Sequence, residues 1–326
     1  MNTEVLQKPQ LTTGRLLLLG VSSVVLCISF IMSVFAPFPL ALSVILYGRA
    51  KGYLTGLVGL ILSFAFASLV HLDLTLFGFY VCVFVFGMAI AEIVKRDYSP
   101  VKGMVVFGLG FILTISAAFA WLVSSQDLTV KQFIINQIQK SSDKIEVQKK
   151  IIEERGGEGS TQILQLLDRP DLIAQEMTES FPSYLFIGVF LVLWFNMFLA
   201  LKSRRLLFSG EDHPYTEKNL LNFKVPFGFV VLLAIGLILA VWGNDFGNAS
   251  YETIGHTVIM CLGIFYVFQG FGVFSDLLSF LGIMGFFRTL IVMVVVFTAY
   301  YLIAAAGLFD NWFDFRKYFV KRNIEE

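Results

Sequence analysis

The chain has 326 residues, 57% of them hydrophobic, a mean hydropathy of +0.77 and a formal net charge of zero. Only 15% are charged, against about 25% in a typical soluble domain. Polar groups are too few to cover its surface in water, and the charge balance offers nothing to nucleic acid, so the composition implies an all-α integral membrane protein.

Lys8 and Arg15 precede the first apolar run, Leu16–Phe35. No small-residue cleavage pattern follows it, so a retained span is expected rather than a signal peptide. A bilayer core of about 30 Å takes about 20 helical residues. Further spans are expected near Tyr53–Val70, Leu74–Val94, Gly103–Ser124, Ser183–Leu201, Phe227–Gly243, Ile254–Phe274 and Phe287–Leu308. Between the first two, Pro39–Gly48 is short. Basic residues favour the cytoplasmic side of short loops. Placing Arg49, Lys51, Lys95, Arg96 and Lys102 there together with the N-terminus requires 39–48 to cross. Pro37 and Pro39 are then expected to form a kinked, extended turn before it. The count is about 8–9 transmembrane helices, with Lys202, Arg204, Arg205, Lys218 and Lys224 inside and the C-terminal tail outside.

The chain divides into 1–124 (five helices including short span 39–48), an extracytoplasmic insert 125–182, membrane helices 183–309 and an interfacial tail 310–326. In the insert, Phe133, Ile134 and Ile138, then Ile145, Ile151 and Ile152, recur at helical spacing. ERGGEGS breaks the pattern, and Ile163, Leu166, Leu167, Leu172, Ile173 and Met177 resume it. Two or three amphipathic helices are expected, with Pro170 at a helix start. Ten acids against seven bases fit a solvated cap better than a lipid-headgroup binder. Gly52, Gly56, Gly59, Ser63 and Ala67 share one face of a helix, where small residues let backbones approach.

Two stretches carry a family resemblance. FAPFPLALSVILYGRAKGYLTGLVG, Phe35 to Gly59, resembles the start of the substrate-binding S components of energy-coupling-factor vitamin transporters. The resemblance implies a six-helix S-component-like layout at the start of the chain, with an outward-facing ligand cavity. S components dock their coupling subunit through alanines on the first helix, where this chain has Ser29 and Ser33. GLFDNWFDFRK, Gly307 to Lys317, is similar to the C-terminal signature of the YybS-like family of uncharacterised bacterial membrane proteins, with Asp310, Trp312, Asp314 and Arg316 as its polar and aromatic marks. KVPFGF and YVFQGFGVFSDLL fit the same family. This resemblance implies a bacterial cytoplasmic (inner) membrane location and no particular substrate.

No metalloprotease, nucleophile-elbow or phosphate-loop motif is present, so no catalytic residue, cofactor or metal is expected. Polar residues near predicted outer helix ends are candidates for lining an outward cavity: Pro37, Pro39, His71, Asp73, Gln126, Asn244, Asp245, Glu252 and His256. The plain alternative is that helix ends at an interface are polar anyway. Glu92 and Arg96, four apart, are expected to pair. Asp276 and Arg288 are expected to neutralise each other across a hairpin. Asn196 and Gln269 can bridge helices by hydrogen bonds. In the closing motif, helical geometry would put Phe309, Trp312, Phe313 and Arg316 on one face, with Arg316 over Trp312, as an interfacial anchor.

Three functions stay open. The first is a transport-related protein that binds a small molecule and needs an energising partner. The second is an assembly or regulatory protein acting on a protein partner through the insert and tail. The third is an envelope or lipid-linked enzyme, which would need convergent acids that the sequence does not supply.

Overall fold

The structure is a computed structural model, described here for residues 12–29, 32–69, 75–140, 152, 169–208, 213–246 and 250–320. The described elements are all helical, with no strand among them. In order they are α1 (Thr13–Ile28), a 3-10 turn (Met32–Phe35), α2 (Pro37–Tyr47), α3 (Arg49–Leu69), α4 (Thr75–Lys95), α5 (Pro100–Ser124) and α6 (Val130–Lys140). There follow α7 (Pro170–Leu207), α8 (Glu217–Leu221), α9 (Gly228–Trp242), a 3-10 turn (Gly243–Phe246), α10 (Ser250–Phe280), α11 (Gly285–Thr298), α12 (Tyr300–Phe313) and α13 (Arg316–Val320). Six of the described helices are long and apolar enough to cross a membrane, and two shorter apolar helices precede them. The protein is an all-α, multi-pass membrane protein.

The chain forms two compact units: Met1–Gly108, Gly188–Val230 and Gly263–Glu326 in unit 1, Leu109–Ile187 and Val231–Leu262 in unit 2. In unit 1, α1 packs on α3, and α2 packs on α3 and α4. The small-residue face of α3 is what makes this tight. Gly52, Gly56, Gly59, Ser63 and Ala67 are all buried. A Cβ on Gly56 would fall on the Phe84 ring, and one on Gly59 on the Tyr80 hydroxyl. The face serves packing within the chain. A second core of unit 1 is aromatic. Trp194 stacks on Phe268 at 5.1 Å with rings 4° apart, and Phe190 meets Phe265 edge-on at 5.0 Å. Each such pair adds about 0.5–1.5 kcal/mol beyond its buried area.

Three expectations are corrected. The first span does not run to Phe35. α1 ends at Ile28 with Ser29 extended, and a 3-10 turn at 32–35 leads into α2. Pro37 and Pro39 form no extended turn; they sit in the first turn of α2, where a missing N–H costs nothing. The last apolar stretch is not one helix. It breaks at Ala299 (φ −139, ψ 34) into α11 and α12. Each half has 14 residues, about 21 Å of helix, too short for a core of about 30 Å. In the opposite sense, Pro182 does not separate the insert from its span, since α7 runs unbroken through it for 38 residues.

In unit 2, a Thr129–Gln132 capping box opens α6: Gln132 N–H donates to Thr129 Oγ1 at 3.3 Å, and Thr129 N–H to Gln132 Oε1 at 2.9 Å. Phe133 of α6 packs edge-on to Phe119 of α5 at 5.7 Å. The other expected insert helices, around 145–152 and 163–167, lie outside the described residues except Ile152.

Candidate functional site

The outer-end candidates separate. His71 and Asp73 lie outside the described residues. Pro37 and Pro39 are buried in unit 1. Gln126 is exposed in the turn that ends α5, in unit 2. Asn244, Glu252 and His256 do come together there. Gly243 packs its Cα against the backbone at Glu252, so the 3-10 turn lies on the first turn of α10. Asn244 Nδ2 donates to Glu252 Oε2, and His256 Nε2 stands 3.8 Å from Glu252 Oε1. Asp245 is exposed in the same turn. The trio is solvent-facing and has one carboxylate, which suits recognition of a polar or cationic group. Among the described residues no three His, Cys, Asp or Glu side chains are grouped to hold a metal.

A second polar site lies inside unit 1, at the break between α1 and α2. The carbonyls of the turn cannot all bond within a helix, and the bilayer supplies no water to them. Side chains take that place. Ser23 Oγ of α1 donates to Ala36 O at 2.8 Å, and Asn196 Nδ2 of α7 donates to Val34 O at 2.6 Å and to Val192 O at 2.7 Å. Ser23, Ala36 and Asn196 are fully buried. Tyr80 of α4, also fully buried, places its hydroxyl against Ser23 and Cys27. Asn196 was legible as a helix bridge. Ser23 and Tyr80 were not, because a hydroxyl in an apolar run carries no signal of what it faces.

The third site is built by the closing motif. Asp314 adopts the left-handed conformation (φ 46, ψ 57) and ends α12. The reversal carries Arg316 away from Trp312 and back beneath Asp310. The expected Arg316–Trp312 stack is therefore replaced by an ion pair, Arg316 Nε to Asp310 Oδ2 at 3.6 Å, with the Asp310 side chain fully buried. Arg316 also donates to Leu221 O at 2.8 Å, Gln269 O at 3.1 Å and Phe223 O at 3.4 Å. Asp310 accepts from Phe315 N–H at 2.9 Å and from Gln269 Nε2 at 3.1 Å, and Gln269 Oε1 accepts from Val225 N–H at 2.8 Å. Glycines make room for this. A Cβ on Gly270 would fall on Ile303 O, and one on Gly307 on Tyr266 O, so α10 and α12 meet backbone to backbone. Trp312, Phe309 and Phe313 remain exposed, a face suited to lipid or interface.

Asp276 and Arg288 are not an ion pair among the described contacts. Arg288 donates to Ser275 Oγ at 2.5 Å and Ser275 O at 3.2 Å, while Asp276 approaches Arg316 Nε at 4.0 Å. The helical hairpin rotates Asp276 toward the closing motif. Glu92 accepts from Arg96 at 2.9 Å and also from Arg49 at 2.6 Å. Arg204 pairs with Asp97 at 2.7 Å, Arg205 with Glu217 at 2.5 Å and Lys224 with Asp314 at 2.7 Å. Hydrogen bonds from Lys224 and Lys317 push the Asp314 carboxyl down to about 2, and Asp314 in turn raises the Lys317 ammonium. Lys224 and Asp314 in contact cannot lie on opposite sides of a membrane. The expectation that Lys224 lies inside and the C-terminal tail outside fails on this point.

A family model described as "Predicted membrane protein (DUF2232)" matches residues 15–311. No curated protein and no solved structure matches the chain.

Proposed function

Because the chain belongs to the DUF2232 family of predicted membrane proteins, we propose a role within a multi-pass membrane frame: a small-molecule-binding component of a transport process, with no reaction of its own. The observation that carries the reading is the interruption of the apolar chain near both ends, at Ser29 and the 3-10 turn Met32–Phe35 and at Ala299. Short or interrupted hydrophobic segments in the two halves of a membrane protein point to a binding site, because irregular backbone at membrane depth is kept only where it is buried or lines a cavity. The S-component likeness of Phe35–Gly59 and the YybS-like likeness of Gly307–Lys317 support the same reading and a bacterial inner-membrane setting. Arg49, Lys95, Arg96, Arg204, Arg205 and Lys224, at helix ends and short loops of unit 1, favour a cytoplasmic side for that end together with the N-terminus. Within unit 2, by itself, the exposed trio Asn244, Glu252 and His256 would offer polar contacts to a ligand, and an energising protein would act from inside.

The test is native mass spectrometry of the full-length protein purified in mild detergent. A co-purifying small molecule is expected, and it should be lost in Glu252→Ala and His256→Ala without loss of abundance, since both side chains are exposed. A ligand-free preparation holding a stoichiometric protein partner would overturn the reading in favour of an assembly or regulatory role.

A further inference from the structure

We propose that an aromatic pocket of unit 1 holds part of one acyl chain of an anionic phospholipid, with the headgroup on Lys102 and Lys218. The pocket lies between α5, α7, α8 and α10, and every residue lining it belongs to unit 1. Val101 and Met104 of α5, Phe190 and Trp194 of α7, Leu220 of α8 and Phe268 of α10 are among them. Five of its nine lining residues are aromatic and none is charged. The walls resist collapse, because the rings hold one another in place: Trp194 on Phe268 at 5.1 Å, Phe190 on Phe265 at 5.0 Å. One turn past Met104 the space closes. A Cβ on Gly108 would stand 3.0 Å from Phe190 Cζ, so α5 meets α7 there. The empty volume is about 290 Å³, its open mouth included. Ligand pockets begin at about 300 Å³, so a whole lipid does not fit and a length of hydrocarbon chain does. Water finds no hydrogen-bonding wall in such a space, and the bilayer around the protein supplies hydrocarbon directly.

Charge selects the headgroup. Arg204 pairs with Asp97 at 2.7 Å and Arg205 with Glu217 at 2.5 Å. These contacts tie the turn between α4 and α5, the end of α7 and α8 into one polar layer, and the paired charges cancel. Lys102 directly follows Val101, and Lys218 lies two residues before Leu220. Both lysines are exposed, and neither has an ion pair among the described residues. Two uncompensated cations therefore adjoin residues that line an apolar pocket, which suits an amphiphile with a negative head. Lysines at a membrane surface attract anionic headgroups, while zwitterionic ones bring no net charge to them. The site needs no transported ligand.

The test uses Trp194 as the reporter. The chain has four tryptophans. Trp194 is 2% exposed, whereas Trp121, Trp242 and Trp312 are 74%, 51% and 52% exposed, so changing those three to Phe should leave the fold intact. The full-length variant is placed in phosphatidylcholine vesicles with increasing fractions of phosphatidylglycerol or phosphatidylcholine brominated on the acyl chains, since bromine quenches tryptophan at short range. Saturable quenching is expected, with an apparent affinity about tenfold or more higher for the phosphatidylglycerol, the scale of two lysines at an anionic headgroup. Lys102→Gln with Lys218→Gln should bring the two curves together. No saturable quenching by either lipid would overturn the proposal, and a stable dimer in the same sample would assign the pocket to a second copy. Equal quenching by both lipids from the start would overturn it as contact with bulk lipid. A headgroup preference that survives loss of both lysines would overturn their assignment.

Discussion

Arg316→Ala tests whether the closing motif is a surface anchor or an internal tie. The Arg316 side chain is 11% exposed and the Asp310 side chain 0%. Removing one partner of a buried pair costs about 3–5 kcal/mol, because the other charge stays behind in low dielectric. Asp310 keeps two hydrogen bonds, from Phe315 N–H and Gln269 Nε2, so the lower end, about 3 kcal/mol, is the expected loss. That is about a hundredfold in the folded-to-unfolded ratio. The diagnostic is the double-mutant cycle. Asp310→Asn with Arg316→Met removes both charges, and its loss should fall short of the sum of the singles by about 2 kcal/mol. Reversible unfolding in mixed micelles, followed by tryptophan fluorescence, reads all four corners. Losses within about 0.5 kcal/mol for Arg316→Ala, as at exposed sites, or strict additivity of the pair, would refute the internal tie.

Gly307→Leu should push α12 off α10, since a side chain there meets Tyr266 O; overpacking of about 1–3 kcal/mol or more should appear as lost abundance, with Gly263→Leu, whose Cβ meets nothing, as the tolerated control. Lys224→Cys and Asp314→Cys, made singly, should both label from the same side of sealed vesicles. The Asp314 carboxyl is depressed, so its stabilisation is present above its ordinary value of 3.8 and lost as pH falls through about 2. Lys317 is raised, so its share is present below 10.5 and lost only above that. The stability gap between the parent and Asp314→Asn should therefore stay flat from pH 5 to 9 and close only in strong acid; a gap that changes across neutral pH would contradict the assignment.

What the sequence made legible follows from what periodicity and hydropathy measure. The small-residue face of α3 was visible because helical spacing puts 52, 56, 59 and 63 in line, and burial of all four follows. Asn196 and Gln269 stood out because an amide in an apolar run needs a partner. The partner itself was invisible: Gln269 meets Val225 N–H and Asp310, over forty residues away in either direction. The break at Ala299 left no trace, since FTAYYLIAAAG holds no proline or internal glycine at the break. Hydropathy records transfer of residues into oil and is blind to whether twenty of them form one helix or two halves. The contrary error at Pro182 has the same origin. A proline removes one N–H, and the helix continued because tertiary packing outweighs a single lost bond.

The contacts of the closing motif bear on a conflict of charge that the chain carries on paper. A crossing helix at 287–308 would put Arg316 and Lys317 on the side opposite Lys224, against the preference of basic residues for one side. Each half, at 14 residues, is by itself short of a full crossing. α11 leaves from the turn at Leu281–Met284 just after α10, with Gly282 at φ 71 supplying the reversal. α12 ends with Asp314 on Lys224, and Phe319 beyond it packs on Phe280 at 5.6 Å. The tail is thus held by contacts at 224, 276 and 280. A tail held this way by a buried arginine cannot swing out without exposing Asp310 and Gln269 to lipid, which is why the polar end of the chain is folded inward while its aromatics face out.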